Sequence, residues 1–175
     1  AKAHSEAGAI PESAANEIDN KAHIKFVKVE RVKEIERKIH HDLMAMVKGL
    51  AELCENDAGN YIHLGATSYD IEDTARAIQL FQALNVLEES LKKIVIAFIE
   101  QAKINKKLVC VGRTHGQQAL PTTYGMRFAL WACEFDRHIS RLREVRKRIA
   151  KGKMSGAVGT MASFGAKGMK IQEKV

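Results

Sequence analysis

Residues 71–102 read IEDTARAIQLFQALNVLEESLKKIVIAFIEQA and carry a long apolar repeat. Apolar side chains recur every three or four residues, which is the rhythm of one face of an α-helix. The repeat consists of Ile71, Ala75, Ile78, Phe81, Leu84, Leu87, Leu91, Ile94, Phe98 and Ala102. It predicts a helix of about 35 residues and about 50 Å. A helix of that length needs long neighbours, which other subunits can supply.

The residues before this helix also predict helices. Ala1–Ala7 predicts the end of a helix stopped by Gly8, and residues 10–20 predict a helix that starts near Pro11. A second apolar stripe then predicts one helix of about six turns. It ends at the breaker cluster of residues 56–60. The stripe consists of Val32, Ile35, Ile39, Leu43, Met46, Leu50 and Leu53.

The residues after the long helix predict a loop and further helices. Lys106–Pro121 is expected to be a loop, and a helix is expected from about Thr123 to Lys151. Residues 152–168 contain five glycines and predict a structured loop, after which another helix starts at Met169. The predicted fold class is therefore all-α, a bundle of long helices.

The composition restricts the classes of function. The chain has 175 residues, two prolines and a net charge of +7. Its longest apolar runs have six residues, which excludes a membrane span, and no signal peptide is visible. Three separated cysteines without a C-x-x-C pair argue against a disulfide framework or a thiolate zinc site, and indicate a reducing, cytoplasmic compartment. The positive charge fits an anionic ligand or a nucleic acid.

A turn at Gly65–Asp70 precedes the long helix and has two interpretations. Thr67 or Ser68 can cap the helix by accepting backbone N–H bonds, with Asp70 favoured by the positive helix end. The same hydroxyls at a helix N-terminus can bind a carboxylate or a phosphate. The motif alone favours the cap.

The loop sequence G-R-T-H-G-Q at 112–117 places a histidine beside glycine. A histidine exchanges protons near neutral pH, so His115 is a candidate acid or base, although exposed loop histidines are common. The length of the loop favours a functional role.

Two further motifs favour structural interpretations. In H-H-D at 40–42, helical neighbours diverge by about 100°, so a shared metal ion is disfavoured and a solvated face is the default. On the predicted six-turn helix His41 lies opposite Ile39. The segment 152–160 is not a P-loop, because the required order of glycine, lysine and serine is absent.

Taken together, the motifs carry a family resemblance. They are T-S-x-D at 67–70 with D-T-A at 73–75, G-R-T-H-G-Q-x-A-x-P-T-T at 112–123, and G-K-x-S-G-A-V-G-T at 152–160. The chain resembles the fumarase/aspartase superfamily over nearly its whole length. Within it the adenylosuccinate lyase branch fits H-H-D at 40–42, H-L-G-A-T-S at 63–68 and P-T-T-Y-G at 121–125.

The resemblance implies a β-elimination that releases fumarate from adenylosuccinate to give AMP, and from the succinyl-carboxamide ribotide of purine synthesis. A serine on a mobile loop would be the general base, and His115 the general acid on the departing nitrogen. The other residues implied to bind the anionic nucleotide-succinate substrate are His40, His41, Asp42, His63, Thr67, Ser68, Thr114 and Gln117. Thr67, Ser68 and Thr114 would hold a carboxylate, and residues 40–42 the nucleotide part. A homotetramer with shared active sites is implied, and no cofactor, metal, nucleic acid or membrane.

The resemblance also implies a division of the chain. Residues 1–66 would belong to an N-terminal helical domain, and residues 67–175 would start the central helical domain. The S-S-x-M-P-x-K loop that carries the base in the family is absent from these residues, and Tyr69 stands where small or polar residues are usual. The chain is therefore expected to be an internal piece that is inactive alone.

Three alternatives remain open from the sequence. A carboxymuconate cycloisomerase shares T-S-x-D and much of the second motif, but some of these enzymes lack a histidine at position 115. A nucleic-acid-binding helical module would use the basic run between Arg137 and Lys153, which acidic residues interrupt. A non-catalytic homologue kept for its scaffold would fit the absent base loop.

Overall fold

Seven α-helices and one two-stranded sheet make up the chain in the computed structural model, which describes residues 1–175. The helices are α1 (Lys2–Glu6), α2 (Glu12–Lys21), α3 (Val29–Ile39), α4 (Asp42–Ala51), α5 (Ser68–Ile104), α6 (Tyr124–Ile149) and α7 (Gly168–Glu173). The strands are β1 (Val109–Thr114) and β2 (Gln117–Thr123), and short 3-10 helices cover Ala58–Tyr61 and Ala162–Lys167. The helical fold class is confirmed, with this small sheet as the exception.

The two longest predicted helices are confirmed. Helix α5 contains 37 residues, so its apolar repeat runs without interruption as the spacing predicts. Helix α6 contains 26 residues and starts where the Thr123 hydroxyl accepts a hydrogen bond from the Met126 N–H at 3.1 Å. No helix is both long and apolar enough to cross a membrane.

The chain folds as two units, and the first contains residues 1–75 and 152–175. One of its hydrophobic clusters joins α1 to the C-terminal segment and consists of Ala3, Ala7, Met154, Phe164 and Ile171. Another lies between α2 and the first 3-10 helix and consists of Ala14, Ile18 and Ala58. The segment after α6 is therefore anchored by apolar side chains in the same unit as the N-terminal helices.

The prediction of one six-turn helix over residues 32–53 is wrong, because the chain breaks at His40 and His41. His40 has the left-handed conformation (φ 52°, ψ 40°) that ends α3, and His41 is extended and caps α4. The two helices pack closely, since a Cβ on Gly49 would lie 3.2 Å from the Val32 Cγ2 atom. His41 therefore does not lie opposite Ile39 on a common helix.

The second unit contains residues 76–151 and is organised by contacts between α5 and α6. The Phe98 ring lies 6.2, 5.7 and 5.4 Å from the rings of Phe128, Trp131 and Phe135, measured between centroids. Further along, the Glu88 carboxylate binds the guanidinium groups of Arg143 and Arg146 at 3.0 Å each. Part of the basic run thus serves an ion-pair cluster inside the unit.

The predicted loop over Lys106–Pro121 is instead a β-hairpin. Strands β1 and β2 pair antiparallel, and the register shifts between Val111 and Arg113. His115 (φ 50°) and Gly116 (φ 72°) form the two-residue turn, in which both residues have positive φ. Most of the hairpin's side chains are exposed, so the sequence lacks the apolar alternation that would have predicted strands.

Candidate active site

The start of α5 is built around the buried carboxylate of Asp70, whose side chain is 0% exposed. Its Oδ1 accepts hydrogen bonds from the Lys153 ammonium at 2.7 Å and from the Ser155 N–H at 2.9 Å. Its Oδ2 accepts from the Thr67 N–H at 2.9 Å and from the Gly156 N–H at 3.0 Å. Asp70 therefore joins the turn before α5 to the segment after α6.

The surroundings of Asp70 keep it charged. Burial raises the pKa of its carboxyl, but the Lys153 ammonium and the three backbone N–H donors outweigh this and lower the pKa to about 2, from 3.8. A buried carboxylate with four donors is fully satisfied as an anion. The site thus holds a fixed negative charge paired with one lysine.

We expect this carboxylate to make the protein's stability depend on pH. A pKa lowered on folding contributes stability above pH 3.8, and this is lost as the pH falls towards 2. Asp70→Asn should therefore melt below the parent protein at pH 5 to 7, with a difference that narrows between about pH 4 and pH 2. Thermal melts of both proteins across this range test it. A constant difference would show that the charge of Asp70 is not the cause.

Asp70 also forms part of the cap at the start of α5. Its carboxylate accepts the Thr67 N–H, as an acidic side chain does in a capping box. The sequence predicts a hydroxyl of Thr67 or Ser68 as an acceptor of backbone N–H groups inside the helix, which is the other half of a capping box. Both residues are half-buried at the helix N-terminus.

A second set of contacts holds the same turn. The Thr74 hydroxyl accepts a hydrogen bond from the Lys153 N–H at 2.9 Å and donates to the Asp70 carbonyl at 2.9 Å. The Ser163 hydroxyl donates to the Gly65 carbonyl. A Cβ on Gly65 would lie 2.9 Å from the Phe164 ring, and Gly65 has φ +69°, so both space and backbone conformation require glycine here.

His63 lies in the first unit, ahead of this turn. It has φ 64°, a left-handed conformation that is uncommon outside glycine. Its Nε2 atom is buried and has no hydrogen-bond partner in the chain. A buried nitrogen without a partner is costly, so His63 is a group that a ligand could satisfy.

The H-H-D residues occupy the corner between α3 and α4, and all three are exposed. The His41 Nδ1 accepts the Met44 N–H at 3.3 Å, and the Asp42 carboxylate accepts the Leu43 N–H at 2.7 Å. His40 and His41 therefore point from a corner and not from one helical face. The chain contains no group of three or more metal-ligating side chains.

The second unit carries the other predicted site residues on its hairpin. Thr114, His115 and Gln117 lie at the hairpin end and are exposed. The base of the hairpin is fixed to α6, since the Arg127 guanidinium donates to the Val111 carbonyl at 2.9 Å. A Cβ on Gly112 would lie 2.6 Å from the Leu120 carbonyl oxygen, so the strands approach closely at the bulge. The hairpin presents a histidine on a supported but exposed turn.

The sequence predicts site residues at the turn but not the contacts that hold the turn. The sequence predicts a structured loop for Lys153, Ser155 and Gly156 and a charge at the helix end for Asp70, and the family resemblance includes their motifs without giving these residues a role. The available signal was the spacing T-S-x-D, in which an acidic residue stands three positions after a cap residue. Nothing local to that motif identifies the second segment.

Comparisons with known proteins cover the whole chain. The model of one protein family, described as lyase, matches residues 1–175. The adenylosuccinate lyase of Methanocaldococcus jannaschii is 54% identical over 175 residues, which are 100% of this chain and 38% of that protein. The chain thus spans well under half the length of this relative.

Two solved structures are also similar. The fumarate lyase from Mesorhizobium sp. BNC1 has a TM-score of 0.91 and 34% identity, over 99% of this chain and 41% of that one. The β-carboxy-cis,cis-muconate cycloisomerase from Acinetobacter calcoaceticus sp. ADP1 has a TM-score of 0.88 and 32% identity, over 98% of this chain and 40% of that one.

Proposed function

The chain belongs to the lyase family, and on that premise we propose that the full-length protein containing it eliminates fumarate from adenylosuccinate to give AMP. The 54% identity to an adenylosuccinate lyase over all 175 residues carries this proposal. The succinyl-carboxamide ribotide of purine synthesis is proposed as a second substrate, because it carries the same succinyl group on nitrogen.

The proposed reaction needs a base, an acid and groups that hold the substrate. A base removes a proton from the succinyl group, and the electron pair left on carbon forms the double bond of fumarate as the C–N bond breaks. The electron pair of the C–N bond stays on nitrogen, which then takes a proton. We propose His115 as the donor of that proton. Its place on a glycine-flanked turn supports the role, because the backbone there can approach a substrate closely. The base is proposed to be a serine outside residues 1–175.

The substrate-binding roles follow the same premise. Thr67 and Ser68 are proposed to hold a carboxylate of the succinyl group, with Thr114 and Gln117 contributing from the hairpin. Their support is the positive N-terminal end of the 37-residue helix α5, where both Thr67 and Ser68 are half-buried.

The nucleotide part of the substrate is proposed to contact residues 40–42, and His63 is proposed as a supporting residue of the site. The support for His63 is its buried and unpartnered Nε2 atom. The net charge of +7 suits a polyanionic substrate. No step of this mechanism requires a metal ion or an organic cofactor.

We also propose a homotetramer with shared active sites. Both long helices expose large apolar side chains that an isolated chain would leave in water. Examples are Ile78 (55%), Val86 (70%), Ile96 (56%) and Leu130 (56%). Packing against helices of other subunits would bury them. A cytoplasmic location is part of the proposal, and three free cysteines fit a reducing compartment.

A substrate comparison tests the proposal. We expect the full-length protein to release fumarate from adenylosuccinate, measured by the loss of substrate absorbance, while light scattering on the same sample reports its mass. The cycloisomerase similarity makes carboxymuconate the matched second substrate. Turnover of carboxymuconate alone would replace the lyase assignment with a cycloisomerase, and turnover of neither would favour a non-catalytic scaffold.

A further inference from the structure

We propose that Asp70 is a positioning residue for the succinyl end of the substrate, acting through Thr67 and Ser68. This inference rests on the proposed fumarate elimination. Asp70 ties the backbone of the turn to residues 153–156 and so fixes where the two hydroxyls stand.

Each carboxylate oxygen accepts two hydrogen bonds, and the four donors come from two distant parts of the chain. Oδ2 binds one N–H of the turn and one of the distant segment, the Thr67 N–H and the Gly156 N–H. Oδ1 binds two groups of the distant segment, at Lys153 and Ser155. A displacement of either segment therefore stretches bonds to the same rigid group.

Only a carboxylate fits this set of donors. An asparagine would keep the shape, but its NH₂ group would face N–H donors whichever way the amide is turned. Asp70→Asn thus removes the charge that pairs with Lys153. It also places the N–H donors of the new amide against the two donors that a carboxylate oxygen binds in the parent protein. The expected result is a shift of the turn, with Thr67 moving together with its backbone N–H.

A shift of the turn should affect one part of the substrate more than the other. Thr67 and Ser68 are proposed to hold a carboxylate, whereas residues 40–42 are proposed to hold the nucleotide. Because hydrogen bonds to a charged group are among the stronger ones, their misplacement should weaken dicarboxylate binding selectively. The nucleotide contacts should keep their affinity.

The test uses the full-length protein and measures product inhibition by fumarate and by AMP separately. For Asp70→Asn we expect kcat/KM for adenylosuccinate to fall roughly 100-fold and the inhibition constant for fumarate to rise roughly tenfold, with that for AMP unchanged. Glu100→Gln is the matched control, because it removes an exposed carboxylate from the same helix. It should leave all three values unchanged.

A milder variant covers the possibility that Asp70→Asn does not fold. Lys153→Gln removes the ammonium charge that pairs with Asp70 and leaves the three backbone donors in place. Lys153→Gln should raise the inhibition constant for fumarate by a smaller factor than Asp70→Asn does. The control variant Lys151→Gln should leave this constant unchanged. When Asp70→Asn or Lys153→Gln is combined with Ser68→Ala, the fumarate inhibition constant should rise by less than the product of the two single-variant factors. The reason is that the two substitutions affect the same contact with the substrate carboxylate.

The outcomes separate the two proposals. If the parent protein releases fumarate and the Asp70 and Lys153 variants bind fumarate as the parent does, Asp70 is structural only and the positioning role is overturned. An equal loss of fumarate and AMP affinity would also overturn it, because it would show general damage. If the parent releases no fumarate, the proposed function fails, and the positioning role fails with it.

Discussion

Replacing His115 by alanine should reduce fumarate release from adenylosuccinate by roughly two to four orders of magnitude. The departing group is a nitrogen that leaves with an electron pair and needs a proton as the C–N bond breaks. A histidine can hold that proton near neutral pH and give it up within hydrogen-bond reach. His115 occupies the turn of the hairpin and its side chain is exposed, so it is accessible to a substrate. Steady-state turnover by the full-length protein measures the effect.

The control for this variant is His138→Ala. His138 is also exposed and lies in the same unit, where its ring contacts the Arg141 guanidinium at 3.0 Å. The His138 variant should retain parental turnover, and both variants should melt near the parental temperature. Activity within tenfold of the parent in His115→Ala would assign the acid role to another group while leaving the lyase proposal intact.

The long helices could be predicted because their signal is local and uninterrupted. Between Ile71 and Ala102 the apolar spacing stays in phase with the helical repeat, and α5 follows it for 37 residues. The break at His40 could not be predicted from the same signal. The step from Ile39 to Leu43 is four residues, so the stripe keeps helical phase across the corner, and neither glycine nor proline marks it.

The sequence predicts neither the hairpin nor the contacts of Asp70, and the physical reasons differ. Strands that are exposed on both faces show no alternation, and the turn residues His115 and Gly116 are not among the usual hairpin pairs. Asp70 is separated in sequence from Lys153 and Gly156 by 83 and 86 positions, and hydrogen bonds between residues so far apart produce no periodic pattern in the sequence. The motifs therefore predict which residues bind a ligand, whereas the contacts that hold those residues are evident only in the tertiary structure.

Replacing Gly125 by alanine should destabilise the protein, the opposite of the usual effect of alanine in a helix. An alanine is normally about 1 kcal/mol better than glycine inside a helix. Gly125 is the second residue of α6, and its N–H donates to the Asn105 carbonyl at 3.0 Å. A Cβ there would lie 2.5 Å from the Lys106 Cα and 2.7 Å from the Ala102 carbonyl oxygen. Backbone atoms cannot turn aside as a flexible side chain can, so α6 must move.

We expect a net loss of about 2 kcal/mol for Gly125→Ala, within the range for overpacked sites, seen as a lower melting temperature of the full-length protein. Gly159→Ala is the matched control, because its methyl would meet no atom within 4 Å and its φ of +79° costs only about 1 kcal/mol. A Gly125 variant as stable as the parent would show that the start of α6 can shift without loss of stability.

Because β2 ends at Thr123, next to this helix start, a shift of α6 should also displace the hairpin that carries His115. Turnover should therefore fall in Gly125→Ala even at temperatures well below its melting point, whereas Gly159→Ala should lose stability alone.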